Sequence, residues 1–175
     1  MNTMTLEQAI AQLFRMDDAT WLRHANPWSG ILRNTALPFL IVAFWSRLWF
    51  GWWAVIPVAL ALVWTWFNPR IFAAPQSLDH WMSKGVLGER VWLNRAAVPV
   101  PTYHRTVPNV LSAVSAIGMV FIVWGVFVFD PWPTLFGAMV VYLCKLWFVD
   151  RMVWLWNDMQ EAEPEYRNWR ILKKD

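Results

Sequence analysis

At 175 residues, with 58% hydrophobic and only 15% charged side chains, the chain is too apolar for an average soluble domain, in which about 25% of residues are charged. A formal net charge of +3, with no long run of like charge, excludes the electrostatic footprint of a nucleic-acid-binding protein. A single cysteine, Cys144, excludes an intramolecular disulfide framework and a Cys-X-X-Cys metal knot.

Sixteen tryptophans mark depth, because the indole ring favours the level where an apolar body meets headgroups that accept its N–H. The first residues lack a basic stretch followed by a long apolar one, so no cleavable secretory signal is expected. Residues 5–14 place Leu6, Ile10, Leu13 and Phe14 at helical spacing, and Thr5 with Gln8 has capping-box form. This predicts an interfacial amphipathic helix within an N-terminal unit of residues 1–30, with Asp17 and Asp18 supplying a break or a new N-cap.

Residues 31–67 are apolar apart from Arg33, Asn34, Thr35, Ser46, Arg47 and Thr65. One straight helix of that length would run about 55 Å, against a hydrocarbon core of about 30 Å. A turn at Gly51 gives two helices, with Pro38 and Pro57 both in first turns, where a missing N–H costs little. Full crossing by this first hairpin is the expectation, because Trp45, Arg47, Trp49, Trp52 and Trp53 belong at a far interface; a re-entrant hairpin is the alternative.

Residues 68–108 are polar, with prolines at 69, 75, 99, 101 and 108. Ser77 is placed to cap a helix from about residue 78 to 94, with Leu78, Trp81, Gly85, Gly88 and Trp92 on one face, lying on the membrane surface. A third span is expected over residues 109–129, then a tight turn at residues 130–133 and a fourth helix to about Gln160. That last helix outruns the bilayer and projects Asp150, Arg151, Trp154, Asn157 and Asp158 along one flank, while residues 161–175 read as a surface-lying or mobile tail. The expected fold is therefore all-α: a single polytopic membrane domain with four transmembrane helices in two tight hairpins, plus interfacial helices.

Orientation follows from the basic residues. With both turns outward, only Arg47 of fifteen Lys and Arg lies outside, against three before the first span, five in the central loop and six from Lys145 onward. The positive-inside rule then puts both termini in the cytoplasm of a cell inner membrane.

In this topology the polar side chains collect at the cytoplasmic boundary. His24, His80 and His104 are candidate ligands or acid/base groups, with Glu89 and Asp150 as carboxylate partners, because imidazole with carboxylate suits proton transfer or a transition metal. Spacing gives no HExxH or paired ExxH, so His24 and His104 as helix caps or carbonyl donors, with Asp79, Glu89 and Asp150 paired to neighbouring arginines, is the plainer reading. Neither metal nor cofactor is assigned. Arg70, Arg90, Arg95, Arg105 and Arg151 are candidates for lipid headgroup contact, as anchors or as recognition elements.

The centres of the spans lack Asp, Glu, Arg and His, so no ion relay is evident, and Lys145 reads as a snorkelling anchor. Ser112, Ser115, Gly118 and Gly125 in the third span, and Gly137 and Ala138 in the fourth, offer small surfaces for close helix packing within the chain or with a second copy. Arg47 and Asp130 are placed to pair across the two turns. No nucleophile elbow or Gly-rich phosphate loop occurs, and Cys144 in its apolar run should be inert.

The strings HANPWS (24–29), FNPR (67–70), LGERVWLNR (87–95) and VPVPTYHR (98–105), set between apolar hairpins, resemble a family of small prokaryotic membrane proteins known only as a domain of unknown function. The resemblance spans nearly the whole chain and implies a compact four-span protein without assigned catalytic residues. The expected function is accessory or scaffolding, binding membrane lipids, a protein partner or a second copy of the chain. A membrane enzyme and a channel or transporter subunit are the alternatives.

Overall fold

The computed structural model describes residues 17–170, all of whose regular structure is helical. The amphipathic segment expected at residues 5–14, and the last five residues, lie outside that range. Helices α1 (Asp18–His24) and α2 (Pro27–Arg33) are short and capped from the sequence. The Asp17 carboxylate accepts from Thr20 N at 2.7 Å, as an N-cap should, and Asn26 accepts from Trp28 N at 2.9 Å with Pro27 behind it.

Among the described residues three stretches are long and apolar enough to cross a membrane: residues 27–71, 102–128 and 131–159. The first is not one helix. It contains α3 (Ala36–Trp45), α4 (Arg47–Phe50), a 3-10 turn (Gly51–Ala54) and α5 (Val55–Ile71). Gly51 sits at φ +53° and ψ −127°, a conformation that needs glycine, and it folds α5 back onto α3. Helix α3 is about 15 Å long and α5 about 25 Å at 1.5 Å per residue, so this hairpin is shorter than two straight spans. Its apex carries Trp49, Trp52 and Trp53, with Trp52 95% exposed.

Helix α7 (Thr106–Val128) turns at Phe129, in the left-handed region at φ 57°, into α8 (Pro131–Met159). Asp130 caps α8 by accepting from Trp132 N at 3.0 Å. The two helices pack along their length through small residues. A Cβ on Gly137 would fall on Gly118 O and lie 2.8 Å from Ile122 N; one on Gly125 would lie 2.6 Å from Thr134 N. Gly118, Gly125 and Gly137 thus hold the chain's own helices together, whereas Ser112 is exposed.

Beyond the apolar stretch the molecule has a second core. Helix α6 (Trp81–Leu93) packs on the last turns of α8. Leu87, Val91 and Trp92 meet Met152, Leu155, Trp156 and Met159, closed by Val100 and by Tyr166 of α9 (Pro164–Asn168). Two expectations change here. The central helix does not simply lie on a bilayer, since it buries eight of its thirteen residues. Gly88 on the buried face lets it approach the α8 backbone at Met152, and Gly85 makes room for the Val149 side chain. Its cap is His80, whose Nδ1 accepts from Met82 N at 3.1 Å, whereas Ser77 bonds locally to Asp79 N.

The tail, through Arg170, is docked. Tyr166 is fully buried with its hydroxyl accepting from Asn94 Nδ2 at 3.0 Å, and Trp169 stacks on Trp156 with centroids 6.4 Å apart. Reading that segment as polar missed the two aromatics that anchor it.

Candidate functional site

Both turns lie at one end of the hairpins, because Arg47, at the apex of the first, donates to Val126 O at 2.6 Å and Phe127 O at 2.8 Å. A cation on the terminal carbonyls of α7 meets the negative end of that helix. Arg47 does tie hairpin to hairpin, but through these carbonyls and the ring of Phe129 at 4.1 Å; Asp130, its expected partner, is occupied as the cap of α8.

At the opposite end the polar side chains gather, and the three histidines have three different surroundings. His80 is exposed and caps α6. His104 is buried, with Nε2 2.8 Å from Asp158 Oδ2, and the Tyr103 hydroxyl lies 3.4 Å from the same oxygen. His24 is buried against Arg33, whose Nη1 touches both ring nitrogens. Among the described residues neither His24 nor His104 caps a helix or bonds a carbonyl; each faces a charged side chain from another element. Guanidinium is only a donor, so the ring nitrogen that accepts from Arg33 is the unprotonated one. Burial, then Arg33 and Lys145, hold His24 well below the usual imidazole range, so it is neutral at pH 7.

Glu89 belongs to the same corner. Its carboxylate pairs with Lys145 across the α6–α8 contact rather than with its neighbour Arg90. Burial alone would raise its pKa, yet the Lys145 and Arg33 charges outweigh that and hold it below the ordinary value. Tyr142, one turn before Lys145, donates to Asn34 O and so ties the start of the first hairpin to α8. The corner thus unites α1, α2, α6 and α8. Glu89 and His24 were legible as candidates, whereas Arg33, at the edge of an apolar run, and Lys145, read as an anchor, were not.

Asp150 accepts from Trp81 Nε1 at 3.3 Å and lies 3.9 Å from Arg151, so it fastens α6 to α8. Among the described residues no three His, Cys, Asp or Glu side chains gather at metal-ligand spacing. The five arginines expected at headgroups all contact the chain itself. Arg70 donates to Trp66 O at 2.6 Å, Arg95 to Trp92 O at 2.7 Å and Arg105 to Val100 O at 2.7 Å. Arg90 pairs with Asp18 and lies 3.8 Å from the Trp169 ring centroid, and Arg151 lies 4.2 Å from that of Trp154. A shallow cleft of about 430 Å³ between Lys84, Trp156, Asn157 and Arg170 adjoins this belt.

A family described as a family of unknown function (DUF6653) has a model that matches residues 5–172. No curated protein and no solved structure matches the chain.

Proposed function

The chain belongs to the DUF6653 family, whose function is unknown, and we propose that it is a bilayer-anchored platform whose cytoplasmic polar belt binds anionic lipid headgroups or a partner protein. The carrying observation is the division of the molecule into two environments. The hairpins expose Phe39, Val42, Leu60, Val120, Phe127, Leu135 and Met139, each more than half exposed, a surface that suits lipid and not water. The α6–α8–α9 unit buries its apolar side chains inward and exposes a charged belt.

In this reading the first hairpin crosses twice, giving four spans, with local thinning to match its short helices. The shared apex of the two turns faces outward and the basic end faces the cytoplasm of an inner membrane, as the distribution of Lys and Arg favours. The test is lipid analysis of the protein purified in mild detergent from carbonate-washed membranes. Retained lipid enriched in anionic species over the bulk membrane supports the platform; extraction by carbonate, or retained lipid that mirrors the bulk, overturns it.

A second reading, a membrane enzyme at the same boundary, is favoured by the 2.8 Å His104–Asp158 pair, an arrangement that orients an imidazole for proton transfer. The other candidates for that role, His24, His80, Glu89 and Asp150, bond to Arg33, Met82 N, Lys145 and Trp81 respectively, which leaves His104 with Asp158 as its acid/base pair.

A further inference from the structure

Apart from the five arginines of the expected headgroup belt, two further cations, Arg33 and Lys145, meet at the corner where α2 and α8 approach Glu89. Arg33 has five N–H donors, and among the described residues only His24 accepts from it. Lys145 has three and gives one to Glu89. We propose that the corner formed by Arg33, Lys145, Glu89 and His24 binds the phosphate diester of an anionic phospholipid. The proposal rests on the platform reading, because it needs this end of the hairpins at headgroup level.

Charge supports it first. Arg33 and Lys145 supply two positive charges, Glu89 one negative, and the neutral His24 none, so the corner holds one unbalanced positive charge, which suits the single charge of a phosphate diester. The carboxylate is set inward, with 16% of its side chain exposed, while Lys145 reaches outward at 46%. An approaching anion therefore meets the ammonium before the carboxylate. The planar fork of Arg33 adds parallel donors for two phosphate oxygens.

Position supports it second. Lys145 lies where the lipid-facing part of α8 ends: Leu143, Leu146 and Trp147 around it are exposed, whereas Val149 and Met152 beyond it are buried against α6. Arg33 ends α2 just before the first hairpin, and the Tyr142–Asn34 bond brings those two chain segments together. A phosphate held there has acyl chains leading down the exposed apolar flank of α8. A soluble phosphate has the same headgroup chemistry but makes no use of that flank, so the two sources are separable.

The experiment is native mass spectrometry of the full chain in detergent, titrated separately with dioleoylphosphatidylglycerol, dioleoylphosphatidylcholine and inorganic phosphate. The wild type should bind the glycerol lipid at least about tenfold more tightly than the choline lipid, and Arg33→Gln with Lys145→Gln should remove that preference, as loss of charged hydrogen bonds implies. Lys145→Gln alone should give a partial loss, and Lys145→Arg, which keeps a positive charge beside Glu89, should keep the preference.

Unchanged preference in the double variant, with loss in a variant of Arg70 and Arg95, would overturn the location and leave the headgroup reading standing. No preference in the wild type would remove both. Inorganic phosphate that fills the corner alone and blocks the lipid would overturn the lipid as the source.

Discussion

Gly88→Ala is the substitution with the largest expected effect for one added carbon. A Cβ there would fall on Met152 O, 2.6 Å from its carbonyl carbon and 3.0 Å from its Cα. The obstacle is backbone of a 29-residue helix, so relief requires α6 and α8 to separate along their contact. Alanine gains about 1 kcal/mol over glycine in helix propensity, while forced separation of a packed core costs about 1–3 kcal/mol or more. With backbone on both sides the cost lies at the upper end, for a net loss of about 2 kcal/mol. At roughly 2–4 °C per kcal/mol for a chain of this size, the midpoint should fall by about 4–8 °C.

Cys144, the single cysteine, is buried in α8 and serves as the reporter. Its reaction with a fluorogenic maleimide during heating marks the loss of packing around that helix. A midpoint raised by Gly88→Ala would show that helix propensity dominates and would refute the close approach of α6 to α8.

Other outcomes follow from the same contacts. Tyr166→Phe leaves Asn94 Nδ2 without its acceptor and should cost about 1 kcal/mol, whereas Tyr166→Ala opens the core and should cost about 3–5 kcal/mol, both read in the same melt. His24 stays neutral in the fold and protonates below about 6.5 once unfolded, so the unfolded chain takes up the proton. Stability is therefore full above that pH and falls as pH drops below it, by up to about 1.4 kcal/mol per unit. Midpoints between pH 7.5 and 5.5 should show this slope in the wild type and less of it in His24→Asn. Arg47→Gln should loosen the first hairpin from the second, measured as faster proteolysis within residues 47–54. His104→Gln and Asp158→Asn should show a coupling of about 0.5–1 kcal/mol in a double-mutant cycle, because Asp158 is half exposed.

What the sequence disclosed, it disclosed through local rules. Gly51 as a turn, Asp17 as a cap and the small residues at Gly118 and Gly137 all depend on backbone chemistry near one residue, whereas Pro131 and Pro133, read as part of a turn, are the first residues of α8. The second core was hidden because its parts are far apart in the chain. Val91 and Trp92 meet Met152 and Tyr166 only after α8 extends beyond the apolar stretch, and Tyr166 sits among charged residues that mask it.

The candidate site shows the same division. Histidines and carboxylates are visible by type, but that His104 takes Asp158 and Glu89 takes Lys145 depends on helix register between distant segments. Arg47 was recognised as a bridge from its place at the apex. Its true acceptors are backbone carbonyls, which every residue carries and no sequence pattern marks.

The most direct test of a platform that crosses the bilayer with its basic end in the cytoplasm is labelling with a membrane-impermeant maleimide. The background is Cys144→Ala, with Trp52→Cys at the apex or Glu161→Cys at the far end of α8, in intact bacterial spheroplasts. Labelling of the Trp52→Cys chain from outside, and of the Glu161→Cys chain only after permeabilisation, is the predicted result. Both sites reacting from the same side would contradict the two crossings of the first hairpin, and with them the proposed platform.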